Sequence, residues 1–148
     1  MPAGKIEFDL NLYLPYRLTV LANALSVEMA RQYKTKFGIS MAEWRVLLNI
    51  GYANAPSIRD IQKNASLEKS KVSRAASRLE ANGFVTKHVD KSDKRLLKMA
   101  LTNEGQALLD QLIPIAKAFQ SELDARIGED GDALFAALDR LSQTAKAG

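Results

Sequence analysis

A mainly α fold with one small β-hairpin, a winged helix-turn-helix carried between long terminal helices, follows from three features of the sequence. Two short capped helices stand in tandem between Ser57 and Ala81. Asn82-Gly83 and two strands rich in Lys and Arg come directly after them. Apolar residues at helical spacing fill both ends of the chain.

In chain order, Leu14, Leu18, Leu21, Leu25 and Met29 form one stripe of a helix running from Leu14 to about Lys36, and Pro15 suits its first turn. Ser40-Met41-Ala42-Glu43 reads as a capping box that opens a helix to about Tyr52, carrying Trp44, Leu47 and Leu48. This helix leads from the first long helix into the middle of the chain. Ser57 and Asp60 form a second capping box for a short helix Ile58 to Asn64, and Ser66 is placed to N-cap a basic helix from about Leu67 to Ala81. Gly83 ends that helix, because a residue with no Cβ accepts positive φ. Phe84 to Asp90 and Leu96 to Leu101 read as strands joined by Lys91-Ser92-Asp93-Lys94-Arg95. A long helix after Thr102 presents Leu109, Leu112, Ala116, Phe119, Leu123 and Ile127, with Pro114 expected to kink or interrupt it. A last helix after Gly131 shows Leu134, Leu138 and Leu141.

The 148 residues are expected to form a single domain in which 10–37 and 103–146 are dimerisation helices and 40–102 the winged helix-turn-helix lobe. One small domain does not easily bury three apolar stripes, so pairing with a second copy is the economical reading and a larger single core the alternative.

On the basic helix Val72, Ala75, Ala76 and Leu79 share one narrow arc, which faces a core. Ser70, Arg74 and Ser77 lie opposite, Lys71 and Arg78 flank them, and Ser73 sits nearer the edge. Arg bridges O6 and N7 of guanine, Ser reaches base edges and phosphates, and marginal cations reach phosphates on the groove walls. A polar face with cations is also what an ordinary solvated helix shows. Such a face usually mixes acids with bases, however, and Lys69 to Arg78 holds no acid. At the hairpin tip Lys91, Lys94 and Arg95 suit a wing along a minor groove or phosphate strand, or simply a soluble loop. Net charge is +2 over residues 1–56, +6 over 57–98 and −4 over 99–148, so the positive field gathers on the same lobe.

Composition removes other classes. With 47% apolar residues the chain builds a real core. No apolar run approaches a membrane span and the N-terminus lacks a signal-peptide pattern, which points to the cytoplasm and away from the membrane. Zero cysteines exclude disulfides, thiol redox sensing and cysteine metal ligation. The one histidine, His88, reads as a strand surface residue and leaves no zinc cluster. No phosphate loop, nucleophile elbow or paired-carboxylate signature is present, so no enzyme and no cofactor is expected, and a helical-bundle enzyme is a weak alternative.

Glu43-Trp44-Arg45-Val46-Leu47, Leu67-Glu68-Lys69-Ser70-Lys71-Val72-Ser73-Arg74, Leu79-Glu80-Ala81-Asn82-Gly83-Phe84-Val85, Asp93-Lys94-Arg95 and Leu101-Thr102-Asn103-Glu104-Gly105 stand in an order and spacing that resembles the MarR family of bacterial transcriptional regulators. The likeness covers nearly the whole chain. It implies an obligate homodimer with intertwined terminal helices and two lobes on a pseudo-palindromic double-stranded DNA operator. It also implies that Ser70, Lys71, Ser73 and Arg74 hold recognition-helix positions and Arg95 the wing arginine. Lys94 departs from the pattern, which often has a further arginine there, and Lys supplies charge without a planar fork.

The family implies a repressor released by a small ligand. Leu12-Tyr13-Leu14-Pro15-Tyr16-Arg17-Leu18 is similar to the opening of a proteobacterial subgroup linked to aromatic-acid catabolism. On that likeness Tyr13, Tyr16, Arg17 and Trp44 are candidates for a cleft that takes an aromatic acid or its CoA thioester. Simple packing of the aromatics, with Arg17 paired to an acid, is the alternative. An effectorless or architectural DNA-binding protein is a second reading of the whole chain.

Overall fold

The computed structural model describes residues 4–145, in the order η1 (Leu10–Leu12), α1 (Leu14–Phe37), α2 (Met41–Tyr52), α3 (Ile58–Ala65), α4 (Lys69–Ala81), β1 (Val85–Val89), β2 (Leu97–Leu101), α5 (Asn103–Ile127), η2 (Gly128–Asp130) and α6 (Gly131–Thr144). It divides into two compact units, residues 1–112 and 113–148. The expected class, mainly helical with one hairpin and long terminal helices, is the class observed. Lys146, the last residue of the expected 103–146 segment, lies outside the described residues.

In the first unit α2 is the hub, packing on α1, α3, α4 and β2. Val46, Leu47 and Ile50 of α2 meet a core completed by Ile61, Val72, Ala75, Ala76, Leu79, Val85 and Met99, all buried. The arc expected to face inward from α4 does so. β1 begins one residue later than expected, and at the hairpin end both strands are one residue shorter, pairing antiparallel from Val85 with Leu101 to Val89 with Leu97. The residues missing at that end belong to the tip, where Asp90 accepts from the backbone and hydroxyl of Ser92. The hairpin is also fastened to the start of α3, through a bridge between Ser57 and Lys98 and the Met99 N–H donated to Pro56 (2.9 Å).

Local signals set the helix ends. Ser57 and Asp60 make the full reciprocal capping box. At α2 only half of one forms, because Ser40 Oγ accepts from the Glu43 N–H while the Glu43 carboxylate accepts from Ser40 Oγ instead of reaching back to the backbone. Ser66 does not cap α4. It closes α3 in the left-handed conformation (φ 53°), its N–H donated to Gln62, and α4 starts two residues later than expected with Glu68 as N-cap and no side-chain cap. At the other end Gly83 takes φ 81°. Thr102 then starts α5, accepting from the Gly105 N–H and donating to the Gly83 carbonyl (2.6 Å).

Pro114 does not interrupt α5, which is one helix from Asn103 to Ile127. A proline costs a helix one N–H and a steric contact with the carbonyl four residues back. The helix runs through this local cost, with buried Leu112 before the proline and buried Phe119 after it.

The second unit holds the rest of α5, η2 and α6. Leu134, Phe135 and Leu141 of α6 are exposed, although the sequence places apolar residues at helical spacing there.

Candidate nucleic-acid interface

The outer face of α4 is built as the sequence suggests. Ser70, Lys71, Arg74, Ser77 and Arg78 are exposed and Ser73 is half-buried. They differ in what holds them. Among the described residues, no hydrogen bond or ion pair engages the side chains of Ser70, Lys71 or Arg74, which leaves them available to an external partner. Ser77 accepts a hydrogen bond from Lys87 Nζ of β1 (3.0 Å), and Lys87 also pairs with Glu80 (3.7 Å). Arg78 pairs with Glu43 of α2 (3.8 Å).

At the wing tip Arg95 lies in a two-pronged contact with Asp93, Nε to Oδ1 at 3.1 Å and Nη2 to Oδ2 at 3.3 Å. The Arg95 backbone N–H donates to the same carboxylate (3.1 Å). The guanidinium, then this N–H, holds the Asp93 carboxyl below the usual carboxylate range. The Ser92 N–H and hydroxyl do the same for Asp90. With a side chain 87% exposed, Arg95 is oriented from below by Asp93 and open above. Lys91 and Lys94 are exposed beside it.

Between α3, α4 and the wing runs a groove of about 270 Å³, lined in part by Arg59, Gln62, Lys69, Ser73 and Arg95. Arg59, Gln62 and Lys69 are absent from the sequence-derived set. Lys69 belonged to the acid-free run and was readable. Arg59 and Gln62 were not, because their position beside the wing follows from the tertiary pairing of Ser57 with Lys98. Arg59 is close enough to Asp93 for its charge to favour that carboxylate. The groove therefore carries cations from three elements.

The four residues expected at an effector cleft fall in two places. Tyr16 lines a groove of about 580 Å³ together with Ile6, Phe8 and Leu10, and Asp9 also borders it. Tyr13 contacts Phe8 edge-on, with ring centroids 5.2 Å apart. Arg17 is exposed in the turn that holds Tyr16. Trp44 is elsewhere, against buried Tyr33 at 5.5 Å. Tyr16 and Tyr33 are separated along α1 by about 25 Å at the helical rise. Within the single chain, then, Trp44 does not share the Tyr16 groove. Burial pushes the Tyr33 hydroxyl up to about 12, against a smaller opposing effect of Arg45.

Residues 39–97 match the sequence model of the MarR family. That stretch falls within the winged-helix lobe, from just before α2 to the start of β2. A MarR/EmrR-family regulator from Acinetobacter sp. ADP1 has the same fold, with a TM-score of 0.81 at 28% identity, covering 92% of this chain and 96% of that one. An uncharacterised HTH-type regulator of Bacillus cereus is 28% identical over 96 residues, 65% of this chain. The matched stretch spans 63% of that relative's length. The organic hydroperoxide resistance regulator of Bacillus subtilis (strain 168) is 26% identical over 141 residues, 93% of this chain and 95% of its own.

Proposed function

We propose that this chain is a cytoplasmic transcriptional repressor that binds a pseudo-palindromic operator as a homodimer and is released by a small aromatic acid or its CoA thioester. The observation that carries the DNA part is the exposed face of α4 along the acid-free run Lys69 to Arg78, with Ser70, Lys71 and Arg74 unengaged beside a wing that holds Arg95 out to solvent. α4 enters the major groove. Arg74 reads a base, Ser70, Lys71 and Ser73 touch base edges or phosphates, and Lys91, Lys94 and Arg95 lie along the minor groove or its phosphates.

The dimer is supported by α1, whose stripe changes along its length. Met29 is buried and Leu25 half-buried, while Leu14, Leu18 and Leu21 are exposed. An apolar row that runs from a core into solvent lacks a partner of its own chain, and a second copy supplies one. The effector is assigned to the groove at Tyr16, with Tyr13 edge-on to Phe8 of its lining and Arg17, next along α1 but outside that lining, as the cation for the ligand's negative charge. Its volume is that of a small-molecule site. Trp44 reports on binding through α2 without touching the ligand in the same protomer.

The test is mutual antagonism. A panel of phenolic acids and their CoA thioesters, screened by thermal shift, should yield one compound that lowers DNA affinity, and DNA should lower affinity for it by the same factor. Arg17→Ala should weaken that compound and leave DNA binding intact. If no compound in the panel binds, the effectorless reading replaces this one.

A further inference from the structure

Glu43 is the one charged residue buried among those described (4% exposed), and nothing in the reading of α4 as a DNA helix uses it. Its carboxylate accepts the Ser40 hydroxyl (2.9 Å) and faces Arg78 Nη1 across 3.8 Å. The next two residues of α2 point to a different neighbour: Trp44 stacks on Tyr33 of α1 and Arg45 donates to Ser26 of α1 (2.9 Å). Three successive residues thus tie one helix to α4 on one side and α1 on the other.

The rest of the α2 and α4 contact is apolar, with Val46, Leu47 and Ile50 against an α4 face that includes the small residues Ala75 and Ala76. Apolar packing is non-directional, and small side chains give little relief against rotation of one helix on the other. At 3.8 Å the Arg78–Glu43 contact is an ion pair longer than a hydrogen bond, but a buried carboxylate left without its cation is costly, which favours the placement of α4 that keeps Arg78 over Glu43. Arg78 lies one turn after Arg74 on α4, so whatever fixes Arg78 also fixes the angle at which Arg74 leaves the helix.

We infer that Arg78 is a positioning residue, held by buried Glu43 to set the orientation of α4 on α2, and that it does not itself contact DNA. This rests on the reading of α4 as the DNA-binding helix and reassigns one residue within it.

The test uses the full chain with Glu43→Gln, Arg78→Gln and the double substitution. The DNA is a duplex enriched by the wild type from a random-sequence library, with a scrambled duplex as control. Each single variant should lose about five- to tenfold in preference for the enriched over the scrambled duplex, and the double variant no more than either. The slope of log affinity against log salt should stay at the wild-type value, because no phosphate contact is lost. In the DNA-free protein, amide exchange over 69–81 should quicken several-fold in all three variants. This readout stands even if the wild type enriches no sequence, an outcome that would count against the proposed function and not against this inference. A salt slope lower by about one unit in Arg78→Gln alone would place Arg78 on a phosphate and overturn the proposal. So would additive losses in the double variant, or unchanged exchange in Arg78→Gln, whose exposed side chain makes global unfolding a poor explanation of any loss.

Discussion

Arg74 and Arg95 are both exposed, yet their surroundings assign them different work. Arg74 has no partner among the described residues and sits in the middle of the α4 face, where the proposed function puts a base reader. Arg95 is aimed by Asp93 from a hairpin tip, where the proposed function puts a backbone or minor-groove contact. Arg74→Ala should therefore cost about 1 to 3 kcal/mol and flatten preference at one position of each half-site. Arg95→Ala should weaken all sequences evenly and lower the salt slope by about one unit. Binding measured across single-base operator variants and a salt series separates the two. Gly105 matters for a different reason. A Cβ there would collide with the Phe84 carbonyl, which already accepts the Thr102 N–H. Gly105→Ala should destabilise by about 2 kcal/mol or more in thermal unfolding, since backbone must move to admit it. The Gly105 requirement was visible in the sequence only as part of a family resemblance. Its cause is the close approach of α5 to the chain leaving α4, which no local pattern encodes.

The helices show where local signals suffice and where they fail. Ser57 and Asp60 announced α3 correctly because a capping box closes within four residues, and the whole of its geometry is local. Hydrogen bonds from the Ser57 backbone and side chain hold the Asp60 carboxyl below its usual 3.8. A carboxyl with a depressed folded-state pKa takes up its proton more readily in the unfolded chain. Its stabilisation is therefore full above the ordinary value and is lost as pH falls through the folded one. Asp60→Ala should cost less than about 1 kcal/mol at neutral pH, the site being exposed, and the gap from wild type should narrow below pH 3.8 in acid unfolding curves. Ser66 misled because Ser favours N-caps, whereas here the chain needed a left-handed residue to turn from α3 into α4. At Pro114 the local cost is real even though the helix continues. Pro114→Ala should restore one intrahelical hydrogen bond and raise stability by about 1 to 3 kcal/mol in denaturant unfolding. The outer face of α4 was legible because amphipathic periodicity separates buried from exposed directly. The Arg59 side of the groove and the split of Trp44 from Tyr16 were not, since both depend on which elements the fold sets side by side.

For the whole chain, charge and apolar exposure point in one direction. Residues 57–98, the stretch that includes α3, α4 and the wing, carry a net +6, while residues 99–148 carry −4. A chain so polarised is drawn to a polyanion by one part of its sequence only. Meanwhile Leu14, Leu18 and Leu21 on α1 and Leu134, Phe135 and Leu141 on α6 stand in solvent in the single chain. Covering them at about 25 cal/mol per Å² is a strong drive to associate. On the proposed function, a two-fold dimer of DNA-binding lobes would read a two-fold site. The most direct measurement is selection from a random-sequence duplex library by the full chain, with the stoichiometry of the selected complex read by sedimentation. We expect an inverted repeat with half-site centres about one helical turn, roughly 10 base pairs, apart, bound by two chains. A single asymmetric site bound by one chain, or no enrichment over the starting library, would contradict it.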